Sequence, residues 1–375
     1  MSVVFRVDAS VEIGTGHVAR CLTLAKALSH LQVTFICRNA PGNMVGFIRA
    51  QGVKVLELPA AYSSGSASPI EAVFDANVQH DEASECLQLL GEHPYSLLVV
   101  DHYRLDATFS QKMRQKCQYI MVIDDLANRV HDADILLDQN LLPAFESRYQ
   151  ELVSERTITL LGPQYALLRE EFYQSYPIEN DITSHSLTSC KYSILVFFGG
   201  SDADNVTCKA LSGIRLLADK GAFDQLDVDV VLGGSNPWKE QLYIQYADCS
   251  YIHWHVECDY MAKLMAKATL ALGAGGSTHW ERCMMGLASL VVTVADNQVE
   301  CTQYLAGKGA CQWLGHGKDV SSVDIAKAIE SWLSLPEKLI EMSQRASQIV
   351  SHDCGVPKVL QALELQLLLP VKGEQ

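Results

Sequence analysis

The chain has 375 residues, of which 48% are hydrophobic and 19% are charged, and its formal net charge is -15. This is the composition of an ordinary globular protein, and the length is sufficient for two domains that each bury a core. The negative charge and the lack of a lysine or arginine cluster argue against nucleic-acid partners, although one small anionic ligand remains possible.

The composition also bears on location and metal content. No apolar run reaches the roughly 18 residues of a membrane helix, and the amino terminus lacks an export signal, so we expect a cytoplasmic protein without membrane insertion. Its 12 cysteines include no C-x-x-C pair, which favours reduced, buried thiols over a zinc site. We expect a monomer.

Strands and helices alternate along both halves of the chain, as in parallel sheets that helices cover on both faces. The predicted strands are 3–8, 33–38, 53–58, 96–101, 119–124, 134–138 and 157–161, then 192–198, 227–232, 250–254, 269–273 and 289–294. The sequence thus predicts an α/β protein with two Rossmann-like, doubly wound domains facing each other across a cleft.

A polar segment at 174–191, which contains Pro177, reads as the linker between these domains. We therefore expect a first domain at 1–175, a second at 190–352, and a carboxyl-terminal helix or tail at 353–375. This last segment either crosses back to the first domain or forms an interface.

The first candidate site lies in FRVDASVEIGTGHVARCLTLAKAL, where a strand runs into a glycine loop and a helix that begins near His17. Ligands of open α/β sheets bind beyond the carboxyl ends of strands. The positive end of a helix dipole favours neutral imidazole, which makes His17 the candidate catalytic base. The loop can instead be a simple connection, because Gly-x-Gly alone is a weak signal. It lacks the third glycine of a dinucleotide site and the Gly-Lys-Ser/Thr of a P-loop, so we predict no cofactor.

The second candidate site lies in LGAGGSTHWERCMMGLASLVVTVADNQ, residues 272–298. Three glycines follow a strand, and Ser277 and Thr278 can cap the next helix. This segment resembles the nucleotide site of UDP-sugar enzymes with the glycosyltransferase B fold. In those enzymes loop amides and hydroxyls hold the pyrophosphate and a glutamate binds the ribose, a role the resemblance assigns to Glu281. Alternatively, Glu281 is present only because an acidic side chain in the first turn of a helix interacts favourably with the helix dipole.

Two further second-domain segments belong to the predicted UDP site. A glycine turn with Ser201 ends the first strand there, although Asp202 or Asp204 could be present only to cap a helix. Val256 falls where the resembling enzymes read uracil through the backbone. The UDP-binding residues are expected to be Gly199, Gly200, Ser201, Val256, Gly275, Gly276, Ser277, Thr278 and Glu281.

Three D-x-D pairs, at 132–134, 202–204 and 227–229, are of a kind that can hold a divalent metal. Each has an easier explanation as a strand edge, a helix cap or a turn before a strand. We therefore predict no metal.

Several motifs together resemble one family over roughly residues 1–350: the His17 loop, VVDHY at 99–103, IDDLA at 123–127, LLDQN at 136–140, LLGPQYALLREEF at 160–172 and GAGGSTHWE. It is the UDP-2,4-diacetamido-2,4,6-trideoxy-β-L-altropyranose hydrolase family of pseudaminic acid biosynthesis. The resemblance implies hydrolysis of the UDP-linked diacetamido-trideoxy sugar, with inversion, no metal, and water activated by His17.

Polar residues of the same motifs are candidates for the sugar site. Asp8 or Asp101 could orient His17 or bind the sugar, although an aspartate at a strand end more often caps a helix. Arg169 can instead pair with Glu170, Glu171 or another structural acid. Gln298 can reach the sugar or a phosphate, or can cap the next helix. The predicted sugar-binding residues are Asp8, Gly14, Gly16, Arg20, Asp101, Tyr103, Arg169, Asn297 and Gln298, with His102, Asp124, Asp125 and Asn140 as weaker candidates.

Two other functions share part of this evidence. A metal-independent glycosyltransferase of the same fold would need an acceptor surface, and residues 60–80, where such a surface would be sought, are polar and mildly acidic. A non-catalytic subunit that binds UDP-sugar would keep Glu281 but would have no use for His17.

Overall fold

The computed structural model describes residues 1–10, 13–60, 75–175, 191–222, 225–234 and 236–367. Most of the predicted linker and of the 60–80 segment lies outside these residues. The chain divides into two compact units, one formed by Met1–Leu167 with Cys354–Gln375 and the other by Leu168–Asp353.

The first unit contains a seven-stranded sheet in which every pairing is parallel. Its spatial order is β3-β2-β1-β4-β5-β6-β7. The strands are β1 (Ser2–Val7), β2 (Gln32–Arg38), β3 (Lys54–Leu58), β4 (Tyr95–Asp101), β5 (Cys117–Ile123), β6 (Ile135–Asp138) and β7 (Ile158–Leu161). The order reverses direction between β1 and β4, which makes the carboxyl ends of these two strands the expected ligand position.

Helices cover both faces of this sheet. Val3, Phe5 and Val7 of β1 point to one apolar core, and Val4 points to another on the opposite face. This alternation follows from the two-residue period of a strand, and it explains why the strands are apolar throughout. The helices that the first 167 residues contribute are α1 (Gly16–Ala27), α2 (Val45–Ala50), α3 (Ala76–Leu90) and α4 (Ala107–Met113).

The second unit contains a six-stranded sheet, also parallel in every pairing. The strands are β8 (Lys191–Phe197), β9 (Gln225–Leu232), β10 (Ile252–Val256), β11 (Leu270–Gly273), β12 (Ser289–Thr293) and β13 (Gln312–His316). Their order, β10-β9-β8-β11-β12-β13, again reverses direction, here between β8 and β11. The two predicted glycine turns of this half follow these two strands.

The helices of the second unit are α5 (Glu170–Gln174), α6 (Val206–Asp219), α7 (Lys239–Gln245), α8 (Met261–Lys267), α9 (Thr278–Met284), α10 (Val299–Gly307), α11 (Ser322–Leu333) and α12 (Pro336–Ser347). A last helix, α13 (Val356–Leu367), belongs to the first unit, where Val359 and Leu363 join the same core as Val18 and Leu22 of α1. The carboxyl-terminal segment therefore returns to the first unit, which is the first of the two predicted alternatives.

All 12 predicted strands are present with ends within two residues of those expected, which confirms the doubly wound α/β architecture of both halves. The strand β13 was not predicted. Within the described part of the chain, no helix is long and apolar enough to cross a membrane.

Candidate functional site

His17 is the second residue of α1, in the loop that follows β1, and only 7% of it is exposed. Its Nδ1 lies 2.6 Å from Oδ1 of Asp101, the last residue of β4. Because β1 and β4 are neighbours in the sheet, the two residues meet at the point where the strand order reverses. Of the two carboxylates expected near His17, Asp101 is the one that contacts it.

This hydrogen bond assigns the tautomer of the histidine. A carboxylate only accepts hydrogen bonds, so Nδ1 carries the proton that binds Asp101, and Nε2 of the neutral ring is left as an acceptor. Arg20 Nη2 lies farther from the same Nδ1, at 3.1 Å, so the shorter contact to Asp101 decides the tautomer. The His17 ring also makes an edge-to-face contact with Tyr103, with ring centroids 4.4 Å apart. Two polar groups and one aromatic ring thus hold the His17 side chain.

Arg20 binds the same carboxylate one helical turn after His17. Its Nε donates to Asp101 Oδ2 at 2.6 Å, and its Nη2 donates to Oδ1 at 2.7 Å. Burial alone would raise the pKa of Asp101, but Arg20 and His17 hold it well below its ordinary value. Asp101 is therefore ionised while its charge is offset by the adjacent guanidinium.

Asp125 extends this network on the other side of Arg20. It accepts from both terminal nitrogens of Arg20, at 2.9 and 2.8 Å, and from the Tyr103 hydroxyl at 2.9 Å. Asn140 donates to it at 3.0 Å. Burial, with Asp125 as the next cause, raises the pKa of Tyr103, so its hydroxyl stays protonated as a donor. Four strand-end residues and two from α1 thus form one connected polar group.

Asp8 belongs to a different network. It accepts from Arg6 at 2.6 and 2.8 Å and from the backbone N–H of Arg38 at 2.7 Å, and His102 Nε2 lies 3.1 Å from it. Burial alone would raise the pKa of Asp8, but Arg6 and His102 keep it well below its ordinary value. Its predicted contact with a sugar remains a prediction.

The other first-unit candidates divide between the loop and the interior. Gly14 has a φ of +80°, which accounts for glycine in this turn, and a Cβ on either Gly14 or Gly16 would meet nothing within 4 Å. Asp124 is buried and accepts from the Ala127 N–H at 2.8 Å and the Tyr149 hydroxyl at 3.0 Å, as expected of a structural strand-end acid.

In the second unit, the turn after β8 contains Gly199 at a φ of +94°, followed by Gly200 and Ser201. A Cβ on Gly233, after the neighbouring β9, would lie only 2.0 Å from the carbonyl oxygen of Gly200, so these turns pack backbone against backbone. Asp202 accepts from the N–H groups of Val206 and Thr207 at 2.8 and 3.0 Å, at the start of α6. Its side chain therefore caps this helix, which was one of the two predicted roles.

Gly273 ends β11, and the turn after it contains the other two predicted glycines, of which Gly276 has a φ of +89°. A Cβ on Gly275 would lie 2.8 Å from Cβ of Gln298 and 3.1 Å from Oγ1 of Thr302, so a larger residue does not fit. Ser277 occupies the position before α9, but its side chain makes no capping hydrogen bond, and the expected cap is not formed. Its backbone dihedrals are already helical, which is not the extended geometry of a side-chain cap.

Glu281 lies in the first turn of α9, with 13% of its side chain exposed. Arg169 Nη2 donates to its Oε1 at 3.2 Å, and Arg169 Nη1 lies 2.7 Å from Oε1 of Glu171. Arg169 was expected in the first domain, but it follows Leu168, the residue at which the second unit begins. The structure thus joins a predicted sugar ligand and a predicted ribose ligand in one ion pair.

Three more candidates lie near the carboxyl edge of the second sheet. Val256 ends the outermost strand β10 and is 40% exposed. Asn297 is exposed within a short turn at Asp296–Gln298. Gln298 accepts from the Val294 N–H at 3.0 Å through its Oε1 and does not cap α10.

Two of the three D-x-D pairs, 132–134 and 227–229, bind cationic or imidazole side chains of the protein. Asp132 and Asp134 accept from Arg114 at 2.8 and 3.0 Å, and Asp227 and Asp229 lie 2.6 and 2.8 Å from two histidines of β10. In the described residues, no group of three potential metal-binding side chains is close enough to hold an ion.

Sequence reasoning missed two polar residues of α9, His279 and Arg282, both at most 3% exposed. Arg282 donates to the Ala274 carbonyl at 2.9 Å, directly beneath the glycine turn. The available signal was a histidine and an arginine in HWERCMMGLA, a largely apolar segment in which a solvent-facing position is hard to place.

Comparison with known proteins supplies relatives, although no family model matches the chain. It is 25% identical over 309 residues to the uncharacterized protein MJ1062 of Methanocaldococcus jannaschii, covering 80% of this chain but only 57% of that protein. It is also 25% identical over 309 residues to the UDP-2,4-diacetamido-2,4,6-trideoxy-beta-L-altropyranose hydrolase of Campylobacter jejuni, covering 82% of this chain and 97% of that enzyme. This match confirms the relationship that the motifs indicated.

Solved structures establish the fold. Acinetobacter baumannii MurG superposes with a TM-score of 0.60 at 15% identity, covering 97% of this chain and 99% of MurG. Staphylococcus aureus MnaA, solved with UDP, gives a TM-score of 0.61 at 12% identity, with 100% and 98% covered. The chain therefore has the glycosyltransferase B fold, as predicted.

Proposed function

We propose that this protein hydrolyses UDP-2,4-diacetamido-2,4,6-trideoxy-β-L-altropyranose to UDP and the free sugar, in pseudaminic acid biosynthesis in the cytoplasm. The relative from Campylobacter jejuni bears the name of this activity. The observation that carries the proposal is the 2.6 Å contact between His17 Nδ1 and Asp101, because a carboxylate acceptor at Nδ1 favours the tautomer that a general base requires.

In the proposed reaction, His17 Nε2 accepts a proton from water as the water oxygen attacks the anomeric carbon. The bond from that carbon to the β-phosphate oxygen breaks, and its electron pair leaves with UDP. Attack opposite the leaving group inverts the configuration. Asp101 keeps Nδ1 protonated, so that Nε2 is the nitrogen that takes the proton, and it stabilises the imidazolium that forms.

The second unit is proposed to hold UDP. Glycine turns follow β8 and β11, the two strands where the order reverses, and backbone N–H groups of such turns suit phosphate oxygens. Glu281 can accept hydrogen bonds from both ribose hydroxyls, because its Oε2 accepts none from any described residue. Arg169 then holds this carboxylate in place through Oε1.

The test is UDP release from the diacetamido-trideoxy-altrose nucleotide, without acceptor or metal, for the wild type and His17→Ala. We expect release by the wild type and a loss of about a hundredfold or more in His17→Ala, with UDP affinity unchanged. NMR of the released sugar should show the inverted anomer first.

Two outcomes contradict the proposal in different ways. Normal release by His17→Ala removes the histidine mechanism but leaves the activity. No release by a folded wild type that still binds UDP removes the hydrolase activity, and transfer to an added acceptor would then identify a glycosyltransferase.

A further inference from the structure

Among the described residues, Arg282 is the one buried arginine that does not pair with a buried aspartate. Four arginines there are buried, and three of them pair with a buried aspartate: Arg6 with Asp8, Arg20 with Asp101, and Arg129 with Asp124. Arg282 is 3% exposed and lies within ion-pairing distance of no described carboxylate. A buried charge without a partner is costly, so its presence calls for an explanation.

The groups that do contact Arg282 are neutral. Its Nη2 donates to the Ala274 carbonyl at 2.9 Å and lies 3.0 Å from His279 Nδ1, while its Nε has no hydrogen-bond partner among the described residues. Burial, and then the Arg282 charge, lower the pKa of His279 far below its ordinary value, so this histidine is not a second cation. Burial likewise lowers the pKa of Arg282 itself, and the acidic groups around it, Glu281 among them, offset this only in part.

These contacts lie directly under the glycine turn after β11. A Cβ on Gly273 would come within 2.6 Å of Arg282 Nη1, so glycine is needed there to admit the guanidinium. From Arg282 a chain of hydrogen bonds runs through His279 to Thr302 Oγ1 at 3.0 Å and on to the Gln298 carbonyl at 2.7 Å. Arg282 thus adjoins the turn from below and connects to the residue that packs on Gly275.

We propose that Arg282 is a positioning residue for the diphosphate of a ligand seated on the Gly273–Gly276 turn, acting through its uncompensated buried charge rather than by contact. The inference rests on the proposed UDP site. An anion on the turn supplies the counter-charge that no carboxylate within ion-pairing distance of Arg282 supplies. The low effective dielectric constant around a buried side chain strengthens this attraction. The cost of the buried charge in the free protein is relieved when the phosphates bind, and this relief adds to their affinity.

The test separates phosphate affinity from nucleoside affinity. UDP and uridine are titrated calorimetrically into the wild type, Arg282→Gln, Arg282→Lys and Arg215→Gln. Arg215→Gln removes the same charge from an exposed site on α6. We expect Arg282→Gln to lower the UDP-to-uridine affinity ratio about tenfold or more. Arg282→Lys, which keeps the charge, and Arg215→Gln should keep the ratio near that of the wild type.

A structural role for Arg282 would instead lower both affinities and leave the ratio unchanged, and this result overturns the inference alone. A wild type that binds neither ligand overturns the UDP site and the inference with it. If Arg282→Gln does not fold, Arg282→Met takes its place, since it fills similar volume without charge. Inorganic pyrophosphate provides a check on the wild type: it should displace UDP, and failure to do so at millimolar concentration also counts against the proposal.

Discussion

Asp101 is the residue on which the chemistry of His17 depends. It accepts from Nδ1 at 2.6 Å and is itself held by two nitrogens of Arg20. In Asp101→Asn the amide can present its N–H to the ring and so favour the tautomer with the proton on Nε2, which cannot accept a proton from water. We expect the hydrolysis rate to fall about a hundredfold to ten-thousandfold, with UDP affinity unchanged, as measured by UDP release and titration.

Tyr103→Phe is the matched control for this substitution. It keeps the aromatic edge on the His17 ring and removes only the hydroxyl that binds Asp125. If the tautomer is what matters, Tyr103→Phe loses far less activity than Asp101→Asn. Equal losses from both variants would mean that the whole polar group acts through packing, and the assignment of Asp101 would be wrong.

The sequence identified the members of this group but not their partners. Asp8 and Asp101 both end strands, and nothing local to either distinguishes them. The distinction comes from Arg6, which points along β1 to Asp8, and from Arg20, which points from α1 to Asp101, 81 residues away. Contacts of this range depend on the order of strands in the sheet, which a strand pattern does not specify.

At the scale of elements, the turn after β11 depends on the absence of a side chain at Gly275. A Cβ there would meet Gln298 Cβ at 2.8 Å and Thr302 Oγ1 at 3.1 Å, so Gly275→Ala must push α10 away from the turn. We expect a loss of about 1 to 3 kcal/mol in the free energy of unfolding and weaker binding of UDP, measured by denaturant titration and calorimetry.

Gly307→Ala provides the comparison for this turn. Gly307 ends α10 in the same unit, and a Cβ on it would meet nothing within 4 Å. Alanine is the better helix former, so this variant should be neutral or slightly more stable and should bind UDP normally. Normal UDP binding by both variants would show that the turn tolerates a side chain and is not a phosphate site.

The helix α13 holds α1, and therefore His17, against the first sheet. Leu363 is fully buried in the core that contains Val18 and Leu22, whereas Leu365 on the same helix is 67% exposed. Leu363→Ala should cost about 2 to 5 kcal/mol, because it leaves a cavity under α1, and Leu365→Ala should change stability by less than about 0.5 kcal/mol. Urea unfolding of the two variants measures the difference, and equal effects would contradict the docking of α13.

The one strand that the sequence did not reveal shows where pattern reasoning ends. The buried strands are continuous apolar runs, as in VVF, LLVV and ILV, and each was found. The segment QWLGH of β13 has no such run, because it forms an edge of its sheet and its five residues are all partly exposed. Its pairing is fixed by β12 alongside it, with a bulge at Val291/Val292, and not by its own composition.

At the scale of the whole molecule, the three buried aspartates with clearly lowered pKa values all lie in the first unit. Burial alone would raise the pKa values of Asp8, Asp101 and Asp124, but the arginines and histidines around each hold them well below the ordinary value. Asp138 is the exception, since burial and then Asp125 raise its pKa to about 7. In the second unit, burial raises the pKa of Asp202.

These directions predict which unit fails first in acid. A carboxylate with a lowered folded pKa contributes stability that is complete above its unfolded pKa of about 3.9 and is lost as the pH falls through the folded value. Asp138 acts in the opposite direction. Because its folded pKa is raised, ionised Asp138 destabilises the fold, and this destabilisation disappears as the pH falls from 7 towards 4. The first unit should therefore hold between pH 7 and 5 and weaken below about pH 4.

Pepsin, which is active in acid, can report this loss by position. At pH 3.5, we expect cleavage within strands β1 to β7 before cleavage within β8 to β13. The reason is that the pKa of Asp202 in the second unit is raised, so that its protonation stabilises the folded state. Mass spectrometry of the fragments identifies the cut sites, and a pH 5 sample is the control in which both sheets resist. Earlier cleavage in the second sheet would mean that the aspartate and arginine pairs of the first unit contribute little, and that its stability rests on the apolar core that α1 and α13 share.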